Sequence, residues 1–125
     1  GQVLGLELNG QTRAYPLDTL RFDPVINDSL GDEAIVVVTL PAGGSRAYRR
    51  NQHRFSLDET MFGEDGIAIL LDEDQQPWRM EEDALVRVDG REERLPRLPS
   101  HTAYWFGWYS FYPDTEVYAP EGPNP

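Results

Sequence analysis

The chain contains no cysteine and no lysine, and its charge is heavily of one sign. Each absence excludes a class of protein. Without cysteine there is no disulfide framework, zinc ribbon, iron–sulfur cluster or thiol nucleophile. Without lysine there is no phosphate loop of the Gly-Lys-Ser or Gly-Lys-Thr kind, and Gly43-Gly44 after a strand does not replace one. All 11 basic residues are arginine, against 22 acidic ones, for a formal net charge of −11. That surplus argues against general nucleic-acid binding, where Lys and Arg must neutralise phosphate, and against an anionic membrane surface. No apolar run approaches the ~18 residues of a spanning helix. The chain starts at Gly1 and shows no charged-then-apolar leader. Any targeting segment is therefore expected to have been removed or to lie outside this sequence.

The 125 residues suit one small domain. The expected division is a single domain over 1–119 and a loose tail over 120–125. Hydrophobic content is a modest 39%, with 10 prolines and 11 glycines, yet 3 Trp, 6 Tyr and 5 Phe occur in clusters, which disordered chains lack. A folded domain of short strands and many turns is expected.

Val3–Leu8, Asn9-Gly10 and Gln11–Tyr15 read as a hairpin, because both turn residues accept the positive φ of a type I′ turn. Pro16 to Leu20 suits one helical turn. Phe22 to Ile26, interrupted by Pro24, reads as an edge or loop, and Asn27 to Asp32 as a turn. The β-branched run Ala34–Leu40 predicts a strand buried on both faces. Arg46–Arg50 with Gln52–Leu57 predicts a second hairpin, and Asp58–Gly66 an acidic loop. Ile67–Leu71 predicts another buried strand, Asp72–Gln76 a turn, and Trp78 with Met80 the anchors of the next extended piece. Ala84–Val88 and Arg91–Leu95 predict a third hairpin whose second arm lies at an edge. Ala103–Tyr112 predicts a helix, capped by Ser100 or Thr102 and stopped by Pro113, and Glu116–Tyr118 a closing strand. The expected fold is mainly β, with antiparallel hairpins around a small mixed sheet or barrel-like core and one C-terminal aromatic helix, an α+β class.

Sites for chemistry are sparse. His53 and His101 each lack a second His or Cys nearby. Asp72-Glu73-Asp74 opens like a calcium loop, but the sixth and twelfth positions hold Pro77 and Asp83 where Gly and Glu are required, so a solvated turn is expected. Ser45 lies in no nucleophile elbow, and Ser100-His101 adjacency does not make a triad. No catalytic residue, metal ligand or cofactor is assigned. Arg46, Arg49, Arg50 and Arg54 form a local basic stretch with Tyr48 and His53. They are expected to pair with the acidic loops and are candidate anion or carboxylate contacts. In the aromatic helix, a 100° step places Trp105, Trp108 and Tyr112 on one side, expected to be core, with Tyr104 and Tyr109 beside them. Phe106 points away and Phe111 lies at the flank. Tyr104, Phe106, Tyr109 and Phe111 are the candidate partner-binding residues, since aromatics are enriched at interface centres.

Several segments together resemble a bacterial family known as domain of unknown function 3179. They are Val3–Gly10, Arg13-Ala14-Tyr15-Pro16-Leu17, Ile26-Asn27-Asp28, the strand ending Val38-Thr39, Asp72, Trp78, Leu95-Pro96, Trp105-x-x-Trp108 and Pro113-Asp114-Thr115. The resemblance implies a bacterial, exported or membrane-anchored protein, hence an extracytoplasmic location, periplasmic or membrane-associated. It also exposes departures. The family's Trp-His-Glu falls on Phe22-Asp23-Pro24, and its Cys-Pro-Leu-Cys-Gly on Leu40-Pro41-Ala42-Gly43-Gly44. Its Ser-Leu-Trp-Ser-Gln falls on Gln76-Pro77-Trp78-Arg79-Met80. Residue types suited to soft metals or redox work are lost, and aromatics are gained at Phe106, Tyr109, Phe111 and Tyr112.

The leading expectation is a non-catalytic protein-interaction domain, an accessory or structural subunit of a larger assembly. A membrane electron-transfer complex is one host, because an acidic surface steers basic carriers such as c-type cytochromes. An alternative is a metal- or small-molecule-binding protein or enzyme with a rebuilt site of Asp23, Asp28, His53 and Arg46. A further alternative is a glycan-binding module stacking sugars on Trp78 and tyrosines.

Overall fold

The computed structural model describes residues 1–40, 44–58 and 69–120. It is strand-rich. A four-stranded sheet has the order β11-β1-β2-β12 and an eight-stranded sheet the order β3-β4-β5-β10-β9-β8-β7-β6. The eight-stranded sheet curls into a nearly closed, barrel-like form. The strands are β1 (Gln2–Leu8), β2 (Gln11–Pro16), β3 (Val25–Leu30), β4 (Glu33–Thr39), β5 (Ser45–Arg49), β6 (Ser56–Leu57), β7 (Ile69–Leu71), β8 (Pro77–Met80), β9 (Ala84–Arg87), β10 (Arg94–Leu98), β11 (His101–Tyr104) and β12 (Glu116–Val117). Two short helices, α1 (Leu17–Phe22) and α2 (Trp105–Phe111), complete the elements among the described residues.

The first hairpin forms as its sequence dictates. Leu8 pairs with Gln11 around Asn9 (φ 52°) and Gly10 (φ 80°). The β4 run is also as expected. Ile35 and Val37 enter one core with Leu4, Leu6, Tyr15 and Leu20, while Val36 and Val38 enter a second with Trp78, Leu70, Leu85 and Leu95. Strand alternation thus gives one apolar run two cores, one between the sheets and one inside the curled sheet.

Four expectations are corrected. Asn27 to Leu30 is strand, not turn, and the turn shrinks to Gly31 (φ 58°) and Asp32 (φ 64°), the positive pair that a two-residue hairpin needs. β5 and β6 do not pair with each other; β5 lies between β4 and β10, and β6 pairs with β7. β10 is no edge: Leu95 pairs with Leu85 and Leu98 with Ala47. The start of the expected C-terminal helix is strand β11, paired with β1, so Ser100 and Thr102 cap nothing. The first backbone N–H of α2, on Trp105, instead donates to the Gly1 carbonyl at 3.0 Å. Most of the expected acidic loop, the first two residues of the expected 67–71 strand and most of the expected tail lie outside the described residues.

Asn27 draws the two ends of the eight-stranded sheet together. Its amide NH2 donates to the Phe55 carbonyl (2.9 Å) and its side-chain oxygen accepts the Phe55 N–H (2.8 Å). One side chain thereby copies a ladder rung between β3 and the residue preceding β6. Asn27→Ala should cost about 1–2 kcal/mol by leaving both groups without that partner. Urea unfolding checks it, and an unchanged midpoint would show that water replaces the rung.

Candidate functional site

Three groups of side chains stand out from the scaffold. The first is the aromatic end. Trp108 is buried against Val3 and Ala14 on the outer face of β1 and β2. Its indole N–H donates to the Thr115 hydroxyl at 2.9 Å, and that hydroxyl donates to the Tyr112 carbonyl at 2.7 Å. Helical spacing then stacks Trp108 on Tyr112 (centroids 4.5 Å apart) and Trp105 on Tyr109 (5.3 Å). The expected core stripe is therefore only half sealed: Trp108 is buried, while Trp105 and Tyr112 are half-buried. Phe106 is 85% exposed, Phe111 82%, Tyr104 69% and Tyr109 46%. Beside them a groove of about 380 Å³ runs between the helices, lined by Val3, Pro16, Leu17, Asp18, Trp105 and Val117 among others. Phe22, at the end of α1, is 93% exposed.

The second group is a polar pocket of about 770 Å³ whose lining includes Arg13, Asp23, Asn27, Asp28, Arg54 and Glu116. Arg13 donates to Asp28 (2.9 Å), Glu116 (2.9 Å) and the Ser29 carbonyl (2.7 Å). The buried Tyr15 hydroxyl donates to the same Asp28 oxygen at 2.7 Å. Burial and that carboxylate hold the phenol proton well above the ordinary tyrosine range. For Arg13, burial works against the charge, but the bonds to Asp28 and Glu116 outweigh it and strengthen the guanidinium's hold on its proton. Each of these groups is bonded to another, which is the chemistry of a brace.

The third group surrounds His53. Its Nδ1 lies 2.9 and 3.1 Å from the two Glu73 carboxylate oxygens, and its Nε2 lies 2.8 Å from Glu93. The ring packs on Trp78 (4.9 Å) and Phe55 (5.9 Å). Arg87 steadies Glu93 (3.5 Å) and Asp89 (2.8 Å) and lies over the Trp78 ring. The expected turn over Asp72–Gln76 forms with Glu73, Asp74 and Gln75 exposed, but Asp72 itself is 1% exposed and not solvated. One of its oxygens accepts the Trp78 indole N–H (2.9 Å), the other the N–H groups of Asp74 (2.8 Å) and Gln76 (3.0 Å). Among the described residues, His53, Asp72 and Glu73 bring donor atoms within 4.8 Å of one another. A cation could gather them only by breaking the direct Nδ1–Glu73 contact and competing with the N–H groups that already occupy both Asp72 oxygens.

The four arginines 46, 49, 50 and 54 are dispersed. Arg46 reaches the Tyr48 hydroxyl (3.4 Å) and the Glu81 carbonyl (3.5 Å), and Arg49 pairs with Glu33 (2.6 Å). Arg50 donates to the carbonyls of Ile35, His53 and Asp28 at 2.8 to 3.0 Å. Arg54 is exposed and lines the polar pocket. The rebuilt site is likewise not assembled: Asp23 and Asp28 share that pocket, while His53 faces Glu73 and Glu93, and Arg46 lies with Glu81. Trp78 is fully buried and offers no sugar a stacking face. No described helix is long and apolar enough to cross a membrane.

Sequence reasoning named His53 but missed its carboxylate partners, which lie 20 and 40 residues away. The available signal was Asp72 with Trp78, six residues apart and closing one tight turn.

The segments that carried the family resemblance form the internal pairs just described. They are Arg13 and Tyr15 with Asp28, Asn27 with Phe55, Asp72 with Trp78, and Trp108 with Thr115. The first departure is tied to the end of β4, where the Thr39 N–H donates to the Pro24 carbonyl at 2.8 Å. No curated protein and no solved structure matches the chain. The sequence does match, over residues 2–115, the family described as Protein of unknown function (DUF3179), and the chain belongs to that family.

Proposed function

We propose that this domain is a non-catalytic, extracytoplasmic protein-interaction module, an accessory subunit that docks a basic protein through the aromatic end of α2. The observation that carries the reading is the exposure of Phe106 and Phe111 on a helix whose other side is anchored by Trp108. Burying one such ring on association is worth about 1.5–3 kcal/mol, and an anchored helix has little freedom left to lose. The adjoining groove between α1 and α2 receives an apolar side chain from the partner. The partner's charge follows from the whole chain, at −11, since α2 carries no charged residue and Asp18 in the groove is paired with Arg21 at 3.0 Å. Opposite charge speeds encounter and suppresses wrong partners. A basic electron carrier within a membrane assembly has this chemistry. The sequence departures at Asp23-Pro24 and Leu40–Gly44 support a scaffold kept for binding and not for reaction.

The test is the size of the native material, identification of the co-purifying chain, and its affinity for Phe106→Asp and Tyr109→Asp. Each substitution should weaken binding at least tenfold; Phe106→Asp should change stability by less than about 0.5 kcal/mol at its exposed position, and Tyr109→Asp should cost about 0.5–1.5 kcal/mol through its lost contact with Trp105. The wild-type affinity should fall as salt rises. A monomer without a partner, with both variants indistinguishable from wild type, overturns the reading.

A further inference from the structure

A histidine with both ring nitrogens against carboxylates poses a simple question of proton count. A neutral imidazole has one N–H and one lone pair. In that form either Glu73 or Glu93 would face the lone pair at under 3 Å, two electron-rich atoms in a mostly enclosed site. Only the imidazolium, with two N–H groups, can donate to both carboxylates at once. We propose that His53 holds a proton as a two-sided bridge, and that this proton latches the β6–β7 end of the eight-stranded sheet, making that end pH-sensitive.

The geometry shows what the latch joins. His53 belongs to the connector between β5 and β6, Glu73 to the β7–β8 turn and Glu93 to the β9–β10 connection. One ring therefore ties three segments that share little backbone pairing. β6 and β7 are joined by two register pairs only, Ser56 with Leu71 and Leu57 with Leu70. The other side of the connector is already fixed by Asn27 on Phe55 and by Arg50 on the His53 carbonyl. Loss of the proton releases one of the two turns and leaves that second set of bonds in place. The result is a local loosening, not global unfolding.

The surrounding charges act in both directions. Glu73 and Glu93 face the ring directly, and Asp72 lies beside Glu73. Arg87, from β9, opposes the proton, but its charge is divided between Asp89 and Glu93. On the connector itself, Arg50 turns its guanidinium to backbone carbonyls, and Arg54 donates its backbone N–H to Glu73 at 2.9 Å. Burial pulls the imidazole pKa down, yet the bonds to Glu73 and Glu93 outweigh it, and the net displacement is upward. A raised folded-state value means the stabilisation is fully present below the unfolded value near 6.5. It is lost as pH rises through the higher folded value.

The experiment uses the whole chain with His101→Gln, so that His53 is the sole histidine, and with a chelator present, so that only a proton occupies the bridge. The His53 ring proton followed by NMR should titrate with a midpoint above the ordinary histidine value near 6.5. Glu93→Gln and Glu73→Gln should each lower that midpoint. Thermal stability of the parent should fall with rising pH from about 6.5 upward, and His53→Gln should lack that descent. A midpoint at or below the ordinary histidine value near 6.5, a midpoint indifferent to both glutamate variants, or parallel stability profiles would each overturn the proposal. If His53→Gln does not fold, the two glutamate variants, at more exposed positions, carry the same decision.

Discussion

Asp72→Ala should lower the unfolding free energy by about 3 kcal/mol. The carboxylate is 1% exposed and accepts three N–H groups, from Trp78, Asp74 and Gln76. Its removal leaves the Trp78 indole N–H unpaired among Leu70, Leu85 and Leu95, where water cannot readily replace it. An orphaned buried donor costs about 1–3 kcal/mol, and losing the turn's internal bonds adds to it. For a chain of this size the midpoint temperature should drop by roughly 10 °C. Asp72→Asn is not a rescue, since an amide presents an NH2 to one donor whichever way it is turned. Burial opposes the charge of Asp72, but the Trp78 indole and the two backbone N–H groups outweigh it and depress its pKa. Its contribution is therefore present above the ordinary aspartate value and lost as pH falls through the lower folded value. Asp72→Ala should accordingly flatten the acid limb of the stability curve, at the opposite end of the pH range from His53. Denaturant unfolding at pH 7 and across the acid range measures both. A loss under 1 kcal/mol would mean that the Trp78 N–H finds another acceptor.

Gly5→Ala is expected to be nearly as damaging, for a steric reason. Gly5 lies mid-strand in β1, where glycine is intrinsically unfavourable. A β-carbon built there would overlap three atoms of the Trp108 ring. The indole lies flat on the strand because nothing projects from it. Adding a methyl group forces either the strand or the helix to move, at about 1–3 kcal/mol. It should also displace α2, because Trp108 is the side chain that seats it. The variant should show an altered Trp108 environment by near-ultraviolet circular dichroism and should weaken partner docking, although Gly5 touches no partner. Unchanged stability together with unchanged spectra would show that the helix is not held by this contact.

Neither contact could be read from the sequence, whereas several local features could. The Asn9-Gly10 turn, the β4 run and the Glu116 strand were legible because each depends on residues within a few positions of one another. Local chemistry also located the exposed aromatics: Phe106 and Phe111 fall off the Trp108 face by helical geometry alone. The errors share one cause. Asn27 and Asp28 have turn-forming side chains, yet these reach Phe55, Arg13 and Tyr15, and the backbone stays extended. β10 has the polar look of an edge, yet Leu95 and Leu98 suffice to insert it between β9 and β5. The arginines at 46, 49, 50 and 54 look like one basic stretch. Strand alternation and the turn at Asn51 send them to different acceptors.

Composition and local pattern were enough to establish a cysteine-free, acidic, strand-rich chain with an aromatic helix in its last quarter. These properties are additive or short-range, so no knowledge of the fold was required. The His53 bridge, the Asp72–Trp78 bond and the seat of Trp108 on Gly5 belong to the other kind. Each joins residues that are meaningful only once the chain has brought them within hydrogen-bonding or van der Waals distance. A lone histidine, an acidic turn and a glycine in a strand acquire their roles through neighbours in space, and the closure of two sheets around shared cores selects those neighbours.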